Sequence, residues 1–155
     1  RVLAIATVII GMAKACRVDQ TWVNCPSSML DTFPVLTNNS TYFVNLHNNQ
    51  ISTVPKSVFH GMTLLAQIRL SSNRITQITP GTFDGLHALN SISLENNQVA
   101  RVSEYTFRGL PQLQHVYLYQ NLIVLFSKLA FIDSGAILTF EFNQNEGNPL
   151  ECTLS

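Results

Sequence analysis

Apolar positions recur along this chain at a spacing longer than a helical turn or a hairpin can explain. The series Leu65, Ile68, Leu70, Asn73, Ile75, Ile78 returns as Leu89, Ile92, Leu94, Asn97, Val99, Val102 and again as Leu113, Val116, Leu118, Asn121, Ile123, Phe126. An earlier copy carries Val44, Leu46, Asn49, Ile51 and Val54, and a fifth begins with Ile137, Phe140, Phe142 and Asn145. The period is 24 residues throughout: Asn49, Asn73, Asn97, Asn121 and Asn145 keep it, and so do Phe59, Phe83, Phe107 and Phe131. A fixed period of this length marks stacked structural units, each one coil of a solenoid. Within a copy the alternation at Ile68 and Leu70 predicts a short strand with those side chains inward and Gln67, Arg69 and Ser71 outward. Successive copies then stack as parallel strands about 4.8 Å apart, one strand per coil.

Each recurring residue type has a physical reason. A buried Leu or Ile contributes about 1.5–3 kcal/mol, but a single coil has nothing to bury it against, so stability requires stacking. The turn after each strand leaves backbone groups inside the coil, and a buried Asn offers both an acceptor and donors to satisfy them. The recurring Phe fills the wider outer side, where copies one period apart stack ring beside ring. Pro80-Gly81 and Phe83-Asp84-Gly85-Leu86 predict a bending outer segment with short or irregular helix.

Composition follows from the repeat. The 155 residues include 19 Leu and 14 Asn, while only 12% are charged, about half the usual fraction of roughly 25%. With 9 basic and 9 acidic residues, the chain has no net field to gather nucleic acid or an anionic membrane surface. Residues 1–15, with Arg1, an apolar run over 2–13 and Ala13-Lys14-Ala15, predict an N-terminally incomplete secretory signal cleaved after Ala15. Lys14 ends that run too early for a membrane span of roughly 20 residues. Its removal leaves 7 basic and 9 acidic residues, still near neutral. In an oxidising compartment, Cys16 and Cys25 are expected to pair, leaving Cys152 without a partner because its own is missing from a truncated end.

On these repeats the chain resembles the extracellular leucine-rich repeat proteins of the 24-residue class, over about residues 16–152. The segment from Cys16 to Cys25, followed by Leu30 and Pro34, is similar to the second half of their N-terminal cysteine cap. Asn148-Pro149-Leu150-Glu151-Cys152 is similar to the opening of their C-terminal cap. The subgroup resembled includes the variable lymphocyte receptors of jawless vertebrates and receptor ectodomains. The resemblance implies an α/β solenoid, a horseshoe with a parallel β-sheet on its concave face and short helical or irregular convex segments. The expected organisation is a signal at 1–15, an N-terminal cap at 16–40, about five repeats at 41–145 and the start of a C-terminal cap at 146–155.

Positions that differ between copies are free of the packing constraint, and they are where recognition is expected. On the concave face these are Phe43, Asn45 and His47; Gln67, Arg69 and Ser71; Ser91, Ser93 and Glu95; His115, Tyr117 and Tyr119; and Thr139, Glu141 and Asn143. Tyr117 and Tyr119 with His115 form the most adhesive row, because tyrosine gives large, rigid contact area at small entropic cost. Arg69 and Glu95 supply orienting charges. The fourth copy departs from the template at Leu122, Val124 and Leu125, an apolar flank that reads either as a partner or dimer contact or as a surface covered by the last coil. Asn38 and Asn39 head overlapping Asn-x-Ser/Thr sequons, expected glycosylation acceptors in a secreted chain.

No catalytic constellation is visible: His47, His60, His87 and His115 fall at different phases of the repeat, and neither a nucleophile triad, a phosphate loop nor a metal-ligand spacing is present. The chain is therefore expected to be a non-enzymatic recognition module without metal or cofactor, secreted or on the extracellular face of the plasma membrane, and to bind a protein or glycan. Innate or adaptive-like immune recognition, a matrix role like that of the small leucine-rich proteoglycans, with Ser134-Gly135 as an attachment hint, and the ectodomain of a membrane receptor all remain open. The sequence leaves the oligomeric state open as well.

Overall fold

A computed structural model describes residues 16–135 and 139–141. The chain winds as a series of coils around a single apolar core, and each coil contributes one strand to a common sheet. In chain order the strands are β1 (Arg17–Val18), β2 (Trp22–Asn24), β3 (Phe43–Asn45), β4 (Gln67–Arg69), β5 (Ser91–Ser93), β6 (Arg101–Val102), β7 (His115–Tyr117), β8 (Leu125–Phe126) and β9 (Thr139–Glu141). The main sheet has the order β1-β2-β3-β4-β5-β7-β9, and every pairing from β2 to β9 is parallel. Val44, Ile68, Ile92, Val116 and Phe140 are partners in successive pairs, so the register holds at one period per coil.

The copies in the sequence predict five strands, whereas the sheet has seven among the described residues. The two additional strands lie in the N-terminal segment: β2 pairs in parallel with β3, and β1 folds back antiparallel on β2. The Cys16–Cys25 disulfide, with Cα atoms 4.1 Å apart, ties the two ends of this hairpin together. Residues 1–15, together with Asn143, Asn145 and Cys152, lie outside the described residues.

The inward positions are closed to solvent. Leu46, Ile51, Leu65, Leu70, Ile75, Leu89, Ile92, Leu94, Leu113, Val116 and Leu118 are all fully buried. On the convex side, Phe59, Phe83, Phe107 and Phe131 stack in sequence with ring centroids 5.9, 5.7 and 5.0 Å apart, and Phe33 caps the column edge-on at 5.6 Å from Phe59. The convex segments are mostly turns; among the described residues the one helical element is the 3-10 helix Lys128–Phe131. Outer segments this short close with local turn bonds instead of completing an α-helix. On that same outer surface β6 and β8 form a second, two-stranded parallel sheet.

The buried asparagines join adjacent coils. Asn97 Oδ1 accepts from the Ile75 amide at 3.0 Å, while its Nδ2 donates to the Leu94 carbonyl of its own coil at 3.0 Å and to the Leu70 carbonyl of the preceding coil at 2.9 Å. Asn73 and Asn121 repeat the arrangement with Ile51, Leu46 and Leu70, and with Val99, Leu94 and Leu118. Asn49 extends it into the N-terminal segment, accepting from Ser28 and Leu30 and donating to the Cys25 carbonyl. The residue before each of these asparagines is left-handed: Asn48, Ser72, Asn96 and Gln120 have φ between 53° and 56°. A second left-handed site recurs at Gly61, Gly85 and Gly109, and is occupied by Asp133 in the next coil.

Candidate functional site

Because the register advances one period per coil, outward residues form straight rows across the sheet. Phe43, Gln67, Ser91 and His115 make one row; Asn45, Arg69, Ser93 and Tyr117 make the next. His47, Ser71, Glu95 and Tyr119 follow, two residues further along each strand. All twelve lie on the same face of the sheet. In β9 the backbone places Thr139 and Glu141 beside His115 and Tyr117.

Side-chain size shapes this surface. Ser71 and Ser93 lie between the longer His47 and Arg69 on one side and Tyr117 and Tyr119 on the other, leaving an open depression of ≈ 410 Å³. Ser71 is itself buried and presents little surface. It acts as a link: His47 Nδ1 lies 2.8 Å from Ser71 Oγ, and the Ser71 hydroxyl donates to Glu95. Asn45 Nδ2 donates to Asn24 Oδ1 at 2.8 Å, and the Arg69 guanidinium sits 5.4 Å over the Phe43 ring. The His115 and Tyr117 rings stack at 6.2 Å.

Glu95 is the electrostatic exception. Burial pushes its carboxyl above the usual carboxylate range, against the opposing pull of its own backbone amide, of Ser71 and of the charges on His47 and Arg69. Its Oε2 is shielded from solvent and accepts no hydrogen bond among the described residues, and His115 Nδ1 is in the same position. Buried polar atoms normally find a partner, so both atoms stand out on a face that otherwise satisfies itself. Among the described residues no three His, Cys, Asp or Glu side chains converge on a metal site, and no helix is long and apolar enough to cross a membrane.

Sequence reasoning missed two members of the face. Trp22 and Asn24 of β2 extend the rows beyond Phe43 and Asn45. The Trp22 indole is held by Asp19, whose carboxyl lies below its ordinary range because the Thr21 amide donates to it first of all. The signal was present as the alternation Trp22, Val23, Asn24, but it stands 21 residues from the next copy rather than 24.

Elsewhere, Asn38 and Asn39 differ in availability. Asn38 is half-buried, its Nδ2 donating to the Gln20 carbonyl and its Oδ1 accepting from Ser40, whereas Asn39 is exposed. On the convex flank Leu122 and Val124 are 48% and 54% exposed, and Leu125 lies in β8 beside a shallow groove with Arg101 and Lys128 at its edges. Ser134 is committed to the fold: its Oγ bonds to the Phe107 carbonyl and accepts from the Leu110 amide.

The leucine rich repeat family model matches residues 40–99 and 89–145. A search of curated proteins finds no match. Among solved structures 88 chains match. One is a chain from the structure of the Toll - Spatzle complex, described as a molecular hub in Drosophila development and innate immunity. It is 27% identical with a TM-score of 0.50, and the likeness covers 57% of the present chain and 14% of that one. The present chain thus spans a small part of the length of that chain.

Proposed function

We propose that this chain, which belongs to the leucine-rich repeat family, is an extracellular recognition module that binds a protein ligand through the concave face of its sheet. The observation that carries the reading is the contrast between two sets of positions. Buried ones repeat from coil to coil as Leu, Ile, Asn and Phe, while the concave ones change identity in every coil and converge on a depression flanked by Tyr117 and Tyr119. A protein ligand is favoured by the likeness to a chain from a complex of Toll with Spatzle. The disulfide of the N-terminal hairpin supports an extracellular setting, since such bonds persist in oxidising compartments.

The matrix reading loses support from Ser134, whose hydroxyl is used inside the fold. Six parallel strands give a concave face about 24 Å across, and a standard interface needs about 800 Å² per partner. A tight ligand therefore also touches a flank, and Leu122 and Val124 offer apolar area there.

The test is a binding screen of the full chain against displayed secreted and cell-surface proteins, repeated with the Tyr117→Ala/Tyr119→Ala variant. The expected result is a partner whose affinity falls by about tenfold or more in the variant while the circular dichroism is unchanged. A partner held equally well by both proteins would place the interface elsewhere.

A further inference from the structure

We propose that the depression beside Glu95 seats one cationic side chain, an arginine or lysine, of the protein ligand. The inference rests on the concave-face reading above and adds the chemistry of its central contact. Three features of the geometry lead to it. The two serines, Ser71 and Ser93, are short where their neighbours in the same rows are long, so the space between Arg69 and Tyr117 is open to an incoming side chain and closed to anything as broad as a strand or helix. Glu95 lines that space, and its Oε2 is shielded from water and has no donor among the described residues. Tyr117 and Tyr119 form the far wall and offer aromatic surface to a cation.

The chain's own cations do not do this work. Arg69 is drawn over the Phe43 ring on the opposite side, and Glu95 forms no ion pair among the described residues, where Arg108 and Asp84 make the one salt bridge. A half-buried carboxylate with one unpaired oxygen is unfavourable on its own, and its elevated pKa has burial as the largest cause. With a turn of the Glu95 side chain toward the depression, a guanidinium or ammonium group delivers the missing donor and the countercharge together, and charge-assisted bonds of this kind are the stronger class. An anionic ligand group would meet Glu95 with like charge. A neutral sugar would supply hydroxyl donors while leaving the carboxylate without countercharge.

The experiment titrates the full chain with four small probes and follows the Glu95 carboxyl carbon and the Tyr117 and Tyr119 ring resonances by NMR. The probes are the N-acetyl methylamides of arginine, lysine and citrulline, and methyl N-acetylglucosaminide. Citrulline keeps the shape of arginine without its charge. Saturable shifts at Glu95 and both rings are expected with arginine or lysine, weaker by about tenfold with citrulline, and lost in Glu95→Gln, whose backbone spectrum matches the parent. Equal response to arginine and citrulline, persistence in Glu95→Gln, or no response to either cation up to the solubility limit would overturn the proposal. Shifts from the glucosaminide alone would also overturn it while leaving recognition on the concave face in place. A protein ligand indifferent to Tyr117→Ala/Tyr119→Ala would instead defeat the underlying reading.

Discussion

Replacing Asn97 by alanine tests the physical basis of the solenoid most directly. The residue is only 7% exposed, and it serves three buried backbone groups, the Ile75 amide and the carbonyls of Leu70 and Leu94, besides the part-buried Glu95 carbonyl. Alanine supplies neither donor nor acceptor, and the surrounding Leu94, Val99 and Ile75 leave water little room to enter. Each buried group left unsatisfied costs about 1–3 kcal/mol. The Ile75 amide loses its partner outright, whereas the Leu70 and Leu94 carbonyls keep their bonds from Asn73 and Asn121 and lose one bond each at about 0.5–1.5 kcal/mol. Together these set a loss of about 2–5 kcal/mol once partial relaxation is allowed for, a large part of the roughly 5–15 kcal/mol that holds a domain of this size. Urea unfolding followed by far-UV circular dichroism reads this as a lower midpoint. Tryptophan fluorescence from Trp22 shows whether the N-terminal end unfolds in the same transition, a necessary check in a repeat protein. The neighbouring Asn96→Ala is the control, since Asn96 is exposed and its loss affects mainly the left-handed backbone, at about 1 kcal/mol. A loss below about 1 kcal/mol for Asn97→Ala, or equal losses for both variants, would refute the view that these asparagines hold the coils by satisfying buried backbone.

Other outcomes follow from the same structure. Glu95→Gln raises thermal stability at neutral pH, because a carboxyl whose folded pKa lies above its unfolded value binds protons more readily when folded. The advantage shrinks as pH falls through the folded pKa. His47 and Arg69, which face the carboxylate and favour its charged form, are kept in both proteins; a variant less stable than the parent at neutral pH contradicts the assignment. In secreted expression, Asn39→Gln removes an endoglycosidase-sensitive mobility shift and Asn38→Gln does not, since the Asn38 amide is already bonded to Gln20; the reverse pattern would show that the cap is arranged differently. Gly85→Ala lowers stability by about 1–2 kcal/mol in the same urea assay, through backbone strain alone, because an added Cβ at φ +81° meets no atom within 4 Å. An unchanged midpoint would show that this turn relaxes freely.

Much of the fold was legible because the repeat samples the same environment several times. A buried Asn or Phe that returns at a fixed interval announces its role without any knowledge of its neighbours, and the Asn73 and Phe83 sites behave as that logic requires. What escaped the sequence depends on departures from the period or on lateral neighbours. Trp22 joins the sheet through a coil of a different length. Ser72 and Gln120 adopt left-handed backbone without the Asn or Gly that would signal it, since the Asn bonds at Asn73 and Asn121 on either side of the turn hold it there. The two-residue pairing of Arg101 and Val102 with Leu125 and Phe126 is too short to leave a pattern. The outward position of Glu95 was plain from alternation, but the groups that act on its carboxyl, Ser71, His47 and Arg69, lie on two earlier coils, and no local window contains them.

The reversed direction of β1 has a consequence for how copies of this molecule meet one another. A stack of parallel coils is an incomplete lattice, and a second molecule whose first coil docked on the last coil of another would continue it head to tail, the heterologous geometry that yields open filaments. Arg17–Val18 runs against the direction of every other strand in the sheet, so the N-terminal face offers an approaching coil the wrong hydrogen-bond spacing and a short edge pinned by the Cys16–Cys25 bond. A two-residue strand thus makes the Arg17–Val18 edge a poor template for a further parallel coil, and the single disulfide that holds it shapes that edge as well as the hairpin.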